Sequence, residues 1–118
     1  MKKQIAVNLL SLDQIAFLEA HCPPRTFLAP EALVYSGQVP QAGYVLLEGK
    51  ITFDSRNKTF ETVPKNSMIC VKELLSNSPV PRTIQIHPNS KVLILDKSSV
   101  LEMLRSPQGR FFEINLPA

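Results

Sequence analysis

Glu73 and Arg82 stand nine residues apart in the stretch Cys70–Ile86, CVKELLSNSPVPRTIQI. Between them lies a polar, proline-bearing loop, with β-type sequence on either side. A carboxylate and a guanidinium presented this way can grip one small ligand. The carboxylate accepts from ribose hydroxyls, and the guanidinium forks onto a phosphate. The same two groups can instead pair with each other at the surface, an interaction worth roughly 0–1 kcal/mol. The surroundings lack most of the glycine and small residues that a close grip on a ligand calls for.

No other constellation carries chemistry. His21 and His87 have no ligand partners at usable spacing, so no metal site is expected. Cys22 and Cys70 lie far apart and fit no metal or redox spacing. They read as free, partly buried thiols of a reducing compartment. There is no nucleophile–base pair and no glycine-rich loop ahead of a helix, so no catalytic residue is assigned and an enzyme is not expected.

The 118 residues fit one domain, with a core over about 11–105 and an apolar tail over 106–118. The apolar share of 44% and charged share of 19% are those of a soluble globular chain. Ten prolines against four glycines suit a compact fold of short strands and fixed turns. The net charge of +3 is spread over lysines and arginines that alternate with acids. Without a basic run or face, direct DNA binding is not expected. The opening MKKQIAVNLLSL mimics a short signal peptide, but Asn8 and Asp13 interrupt it and no cleavage site follows. No apolar stretch reaches membrane-spanning length. A cytoplasmic protein with no membrane contact is the expectation.

The elements that must position Glu73 and Arg82 follow from local signals. Ser11 and Gln14 form a capping box, and Leu12, Ile15, Phe17 and Leu18 give a helical face stopped by Pro23-Pro24. Strands are expected at Thr26–Leu28 and at Leu33–Tyr35, the second ending in a turn at Ser36-Gly37. Gly43–Phe53 is the clearest β segment, with a tight turn or bulge at Glu48-Gly49. Asp54–Lys58 reads as a hairpin tip, and Thr59–Val63 and Ser67–Val71 as further strands. Thr83–Ile86 alternates as a half-buried strand. A turn at His87–Ser90 then leads into a buried strand, Lys91–Leu95. Asp96 can cap a last helix with Val100, Leu101 and Leu104 on one side, halted by Ser106-Pro107 and Gly109. The tail holds Phe111, Phe112, Ile114 and Leu116, too apolar to be left free, and is expected to pack on the body or on a partner. The sum is a mainly β protein. It reads as an antiparallel jelly-roll-like barrel, a double-stranded β-helix, of about eight strands with short flanking helices.

That order resembles the cyclic-nucleotide-binding domain, the family of catabolite-activator-type regulators and regulatory subunits of the cAMP-dependent kinase. Three places carry the resemblance. Val34-Tyr35-Ser36-Gly37 followed by Gly43–Ile51 looks like the family's i-x-x-G … y-x-v-l-x-G-x-v framework. Glu73-Leu74-Leu75 through Arg82-Thr83 looks like its phosphate-binding cassette, G-E-L-A-L … R-A/S-A. Val92–Asp96 running into a helix looks like its last strand and following helix. Carried over, the resemblance implies Glu73 as ribose ligand, Arg82 as phosphate ligand and Thr83 as a hydroxyl donor to phosphate, with a cyclic nucleotide as the ligand.

The cassette departs from the family. Lys72 precedes the glutamate where glycine is expected, and a second register puts Cys70 at that glycine instead. Ile84 replaces a small residue, and Ser76–Val80 is polar where the family forms a short helix. A side chain forcing a strained backbone in a phosphate nest costs about 1–3 kcal/mol. The expectation is a non-enzymatic regulatory and signalling module. Either it has a degenerate cassette and acts through a protein partner, or it is a working sensor that holds a cyclic nucleotide through Arg82 and Glu73. No counterpart of the family's DNA-reading segment is expected, and dimerisation through the tail stays open.

Overall fold

The computed structural model describes residues 7–54 and 61–105, with side chains as far as Leu101. The chain enters in a short strand, β1 (Val7–Leu9), and turns into helix α1 (Leu12–His21). Ser11 Oγ accepts from the Gln14 N–H at 3.2 Å, and Gln14 Oε1 accepts from the Ser11 N–H at 2.8 Å. This is the expected capping box, two otherwise orphaned donors satisfied reciprocally. Ile15 and Leu18 are buried, but Leu12 is 76% exposed and does not join the face assigned to it. It is the first residue of α1, and the buried positions lie further along the helix at Ile15 and Leu18.

Eight strands follow: β2 (Pro24–Phe27), β3 (Glu31–Val34), β4 (Ala42–Glu48), β5 (Ile51–Phe53), β6 (Glu61–Thr62), β7 (Ser67–Ile69), β8 (Ile84–Ile86) and β9 (Ser90–Asp96). Helix α2 (Val71–Ser76) separates β7 from β8, and α3 (Lys97–Arg105) follows β9. The strands form two antiparallel sheets, ordered β1-β7-β4-β9-β2 and β3-β8-β5-β6. This is the expected jelly-roll architecture, with β1 in addition to the eight strands anticipated.

The β4–β5 turn hinges on Gly49, whose φ of 92° is open to glycine and strained for other residues. A Cβ there would also stand 2.5 Å from Ser90 Cα. The room so left lets Ser90 Oγ accept from the Lys50 N–H at 2.9 Å, tying the turn to the start of β9.

Side-chain alternation along β4 and β9 builds two cores from one sheet. Leu46 and Val92, with half-buried Tyr44 and Ile94, face the second sheet and join Phe27, Val34, Ile51, Phe53, Ile84 and Ile86. Val45, Leu47, Leu93 and Leu95 face the other way and pack on Ile15, Leu18, Leu74 and Val100 of the helices. The molecule is therefore three layers deep: helices, five-stranded sheet, four-stranded sheet.

Several boundaries differ from expectation. β2 starts at Pro24, which the first position of an edge strand tolerates because it need not donate an N–H to the ladder. β3 ends at Val34, and Tyr35 already belongs to the turn. Val71 leaves the expected strand for α2. Thr83 precedes β8 instead of opening it. Asp96 Oδ1 accepts from the Ser99 N–H at 2.7 Å, the expected cap, and that bond holds the Asp96 carboxyl below the usual carboxylate range. Leu101 is 37% exposed, while Val100 carries the contact with the core. Most of the hairpin tip, Thr59-Phe60, the stop at Ser106-Pro107 and the tail lie outside the described residues.

Candidate ligand-binding site

The cassette begins where β7 stops. Cys70 takes φ 69°, a left-handed conformation, and caps α2. The chain turns there from sheet into helix, at a cost of about 1–3 kcal/mol for a residue other than glycine. Of the two registers, the one placing Cys70 at the family's glycine has this conformational support, while Lys72 lies inside α2. A short helix does form, at residues 71–76, earlier than the polar loop suggested. Gly43 makes room for it: a Cβ at that position would come 2.5 Å from Val71 Cγ2.

Glu73 lies in the first turn of α2 and is 7% exposed. Its Oε1 is buried and has no hydrogen-bond partner. Nearby Cys70 is fully buried, and burial above all, helped by the Glu73 carboxylate, pushes its thiol far above the ordinary value. Tyr44 faces the same interior, opposite Ile69, with its hydroxyl raised mainly by burial.

The loop after α2 is fastened along its length. Ser76 Oγ donates to the Lys72 carbonyl at 2.7 Å, and the Glu73 carbonyl accepts from the Ser78 N–H at 2.9 Å. Val80 is buried in the core between the sheets. Around it, the Gly37 N–H donates to the Val80 carbonyl at 2.8 Å, and the Val80 N–H donates to the Gln38 carbonyl at 2.9 Å. Ser36 N–H donates to Thr83 Oγ1 at 3.0 Å, and Ser36 Oγ to the Pro81 carbonyl at 3.2 Å. The β3–β4 turn and the cassette loop are thus clasped by four hydrogen bonds. The Thr83 hydroxyl oxygen, assigned to a phosphate by resemblance, already accepts one of them.

Arg82 is engaged elsewhere than at Glu73. Its Nε donates to the Asp54 carbonyl at 2.5 Å and its Nη2 to the Phe53 carbonyl at 3.3 Å. Its Nη1 stands 3.1 Å from Glu61 Oε1, and the guanidinium lies 5.6 Å from the Phe53 ring centroid. The Glu73–Arg82 ion pair is not formed. Ile84 points into the core with no exposure. Of the three residues singled out by sequence, Thr83 and Arg82 are held by neighbouring backbone, and Glu73 alone offers a buried, unengaged atom. Sequence reasoning missed Glu61 and the Phe53 and Asp54 carbonyls; the strand pairing of Phe53 with Ile84 brings the carbonyls near, and no local signal announces it.

Among the described residues no group of three His, Cys, Asp or Glu could hold a metal ion. None of their helices is long and apolar enough to cross a membrane.

No protein-family model matches the chain, and no curated protein matches it by sequence. Solved structures do match. One, from work on a cyclic-GMP-dependent signalling pathway that regulates bacterial phytopathogenesis, superposes with a TM-score of 0.76 at 16% identity. That match covers 88% of this chain and 89% of the other. The catabolite activator protein of Thermus thermophilus gives 0.62 at 16% identity, over 81% of this chain and 47% of its own. cAMP-bound PfPKA-R gives 0.64 at 20% identity, over 81% of this chain and 34% of its own. The chain thus spans less than half the length of the last two. At such identities the likeness is one of fold: two antiparallel sheets and short helices arranged as in the cyclic-nucleotide-binding domain.

Proposed function

We propose that this chain is a non-enzymatic regulatory module of the cyclic-nucleotide-binding fold whose cassette has become a structural element. Its output passes through contacts with a protein partner. The observation that carries this reading is the commitment of Arg82 to the Phe53 and Asp54 carbonyls and to Glu61. The fully buried Ile84, where close approach of a phosphate favours a small side chain, points the same way. A thermal-shift screen against cAMP, cGMP and related cyclic mono- and dinucleotides tests it. No shift is expected. Saturable stabilisation that Arg82→Ala abolishes would overturn it, since a ligand at a hundred times its dissociation constant adds about 2.7 kcal/mol.

A second reading, a sensor that holds a nucleotide through Glu73 and Arg82, draws on one observation. Glu73 Oε1 is a buried acceptor without a donor, and a ribose hydroxyl would supply one. In that case Arg82 exchanges Glu61 for the phosphate on binding. The same screen decides between the two.

A further inference from the structure

The three most exposed large apolar side chains among the described residues stand at one end of the sandwich. Leu9 closes β1, Leu12 opens α1 and Leu28 follows β2, and they are 73%, 76% and 78% exposed. The strand registers bring them to this end. Leu9 lies opposite Ser67, the first residue of β7, and Phe27 opposite Ser90, the first residue of β9. Tyr35, the next most exposed, follows β3 at the opposite end.

Backbone bonds knit the turns of this end into one surface. The Leu10 N–H donates to the Asn66 carbonyl at 2.9 Å, and the Asn66 N–H to the Leu46 carbonyl at 2.7 Å. The His87 N–H donates to the Lys50 carbonyl at 3.0 Å, and the Asn89 N–H to the Phe27 carbonyl at 2.7 Å. The leucines are therefore carried on tied turns, at the two margins of the five-stranded sheet. β1 and β2 are its outer strands, roughly 19 Å apart over four strand spacings.

Between these margins the turns carry lysine. Lys65 leads into β7, and Lys50 follows β4. Both are exposed, and neither forms an ion pair among the described residues. The acids of this end are placed apart from them. Glu48 stands in register with Lys91, Asp13 lies on α1, and Glu31 opens β3 in the other sheet. Leucines so far apart form no single patch for a helix or a second copy to cover, since a stable protein contact gathers an apolar centre within about 800 Å² per partner. A lipid surface makes no such demand. It takes separate apolar protrusions one by one, and anionic headgroups attract the lysines between them.

We propose that this end of the molecule docks on an anionic membrane surface. Leu9, Leu12 and Leu28 enter the headgroup layer, and Lys50 and Lys65 meet the lipid phosphates. The sequence expectation of no membrane contact rests on the lack of a spanning stretch, and a surface contact needs none. This assignment is independent of what the cassette holds.

The test sediments the full chain with vesicles of phosphatidylcholine, alone or mixed equally with phosphatidylglycerol. The chain is expected in the pellet with the anionic vesicles and in the supernatant with the neutral ones. Leu12→Ala and Leu28→Ala should each weaken partition about tenfold. Lys50→Gln and Lys65→Gln should each weaken it about fivefold. All four should keep the parent's unfolding midpoint, because the side chains they change are exposed. Tyr35→Ala, at the far end, should partition like the parent. Absence of the chain from the anionic pellet overturns the proposal, as does equal recovery with both kinds of vesicle. Leucine or lysine variants that partition like the parent overturn it too. So does a dimer of the free chain that Leu28→Ala dissolves, which would give the leucines to a second copy.

Discussion

Arg82 pairs with Glu61 across 3.1 Å, while Glu73, the acid nearest to it in cassette order, is buried without it. The two groups that could jointly grip a ligand have been given separate environments, one tied to backbone carbonyls and one left unsatisfied in the interior. Most of what can be tested about the site follows from this separation.

Arg82→Ala should destabilise the fold by about 1.5–3 kcal/mol, the range for hydrogen bonds made by a charged group. Glu61→Gln should cost under about 1 kcal/mol, because Glu61 is 64% exposed. Urea unfolding of both variants checks the ranking. Equal costs would mean that the carbonyl contacts do not hold Arg82.

Glu73→Met should raise stability. A buried oxygen without a partner costs about 1–3 kcal/mol, and methionine fills a similar volume without that penalty. The midpoint of thermal unfolding should therefore rise. A fall would show that the carboxylate has a stabilising partner in solution.

Ile84→Ala should cost about 2–5 kcal/mol, the price of a large cavity in a core. It should not create nucleotide binding, because Arg82 keeps its present partners. Leu28→Ala, at a position 78% exposed, should stay within about 0.5 kcal/mol of the parent. Calorimetry on the pair separates a packing residue from a bystander, and gained affinity for cAMP in Ile84→Ala would identify the isoleucine as the block.

Stability should fall in alkali. Burial raises the thiols of Cys22 and Cys70 above their ordinary value of 9.0, with Asp96 and Glu73 adding to the effect. Once the pH passes that value, the unfolded thiols lose protons that the folded ones keep. The folded state then binds more protons, so stability is whole below the ordinary thiol value and declines as the pH climbs beyond it. Tyr44 contributes with the same sign above its ordinary value of 10.0. Urea midpoints across this range should flatten in Cys70→Ala. An identical slope in that variant would assign the alkaline loss to other groups.

The legible parts of the fold are those whose causes lie close in sequence. The Ser11–Gln14 capping box, the Asp96 cap and the Gly49 turn each close within a few residues, and each forms. β4 and β9 were readable because long aliphatic runs leave few alternatives. β1 was not, for three residues carry no period and only pairing with β7 makes them a strand. α2 was not either, since its start depends on Cys70 holding a left-handed conformation that a cysteine does not advertise. The site follows the same division. Glu73, Arg82 and Thr83 stood out by type and spacing, but their partners come from strands distant in the chain. Spacing shows which groups a chain offers; the tertiary fold decides which of them are already taken.

The four hydrogen bonds between residues 36–38 and 80–83 join the cassette loop to the turn that exposes Tyr35 and Val39. The two segments form a single mechanical part. A displacement of the turn at Tyr35 is therefore expected to carry the cassette loop with it, and the reverse. Such a tie would let a displacement of either segment be felt at the other, whether or not a ligand is bound.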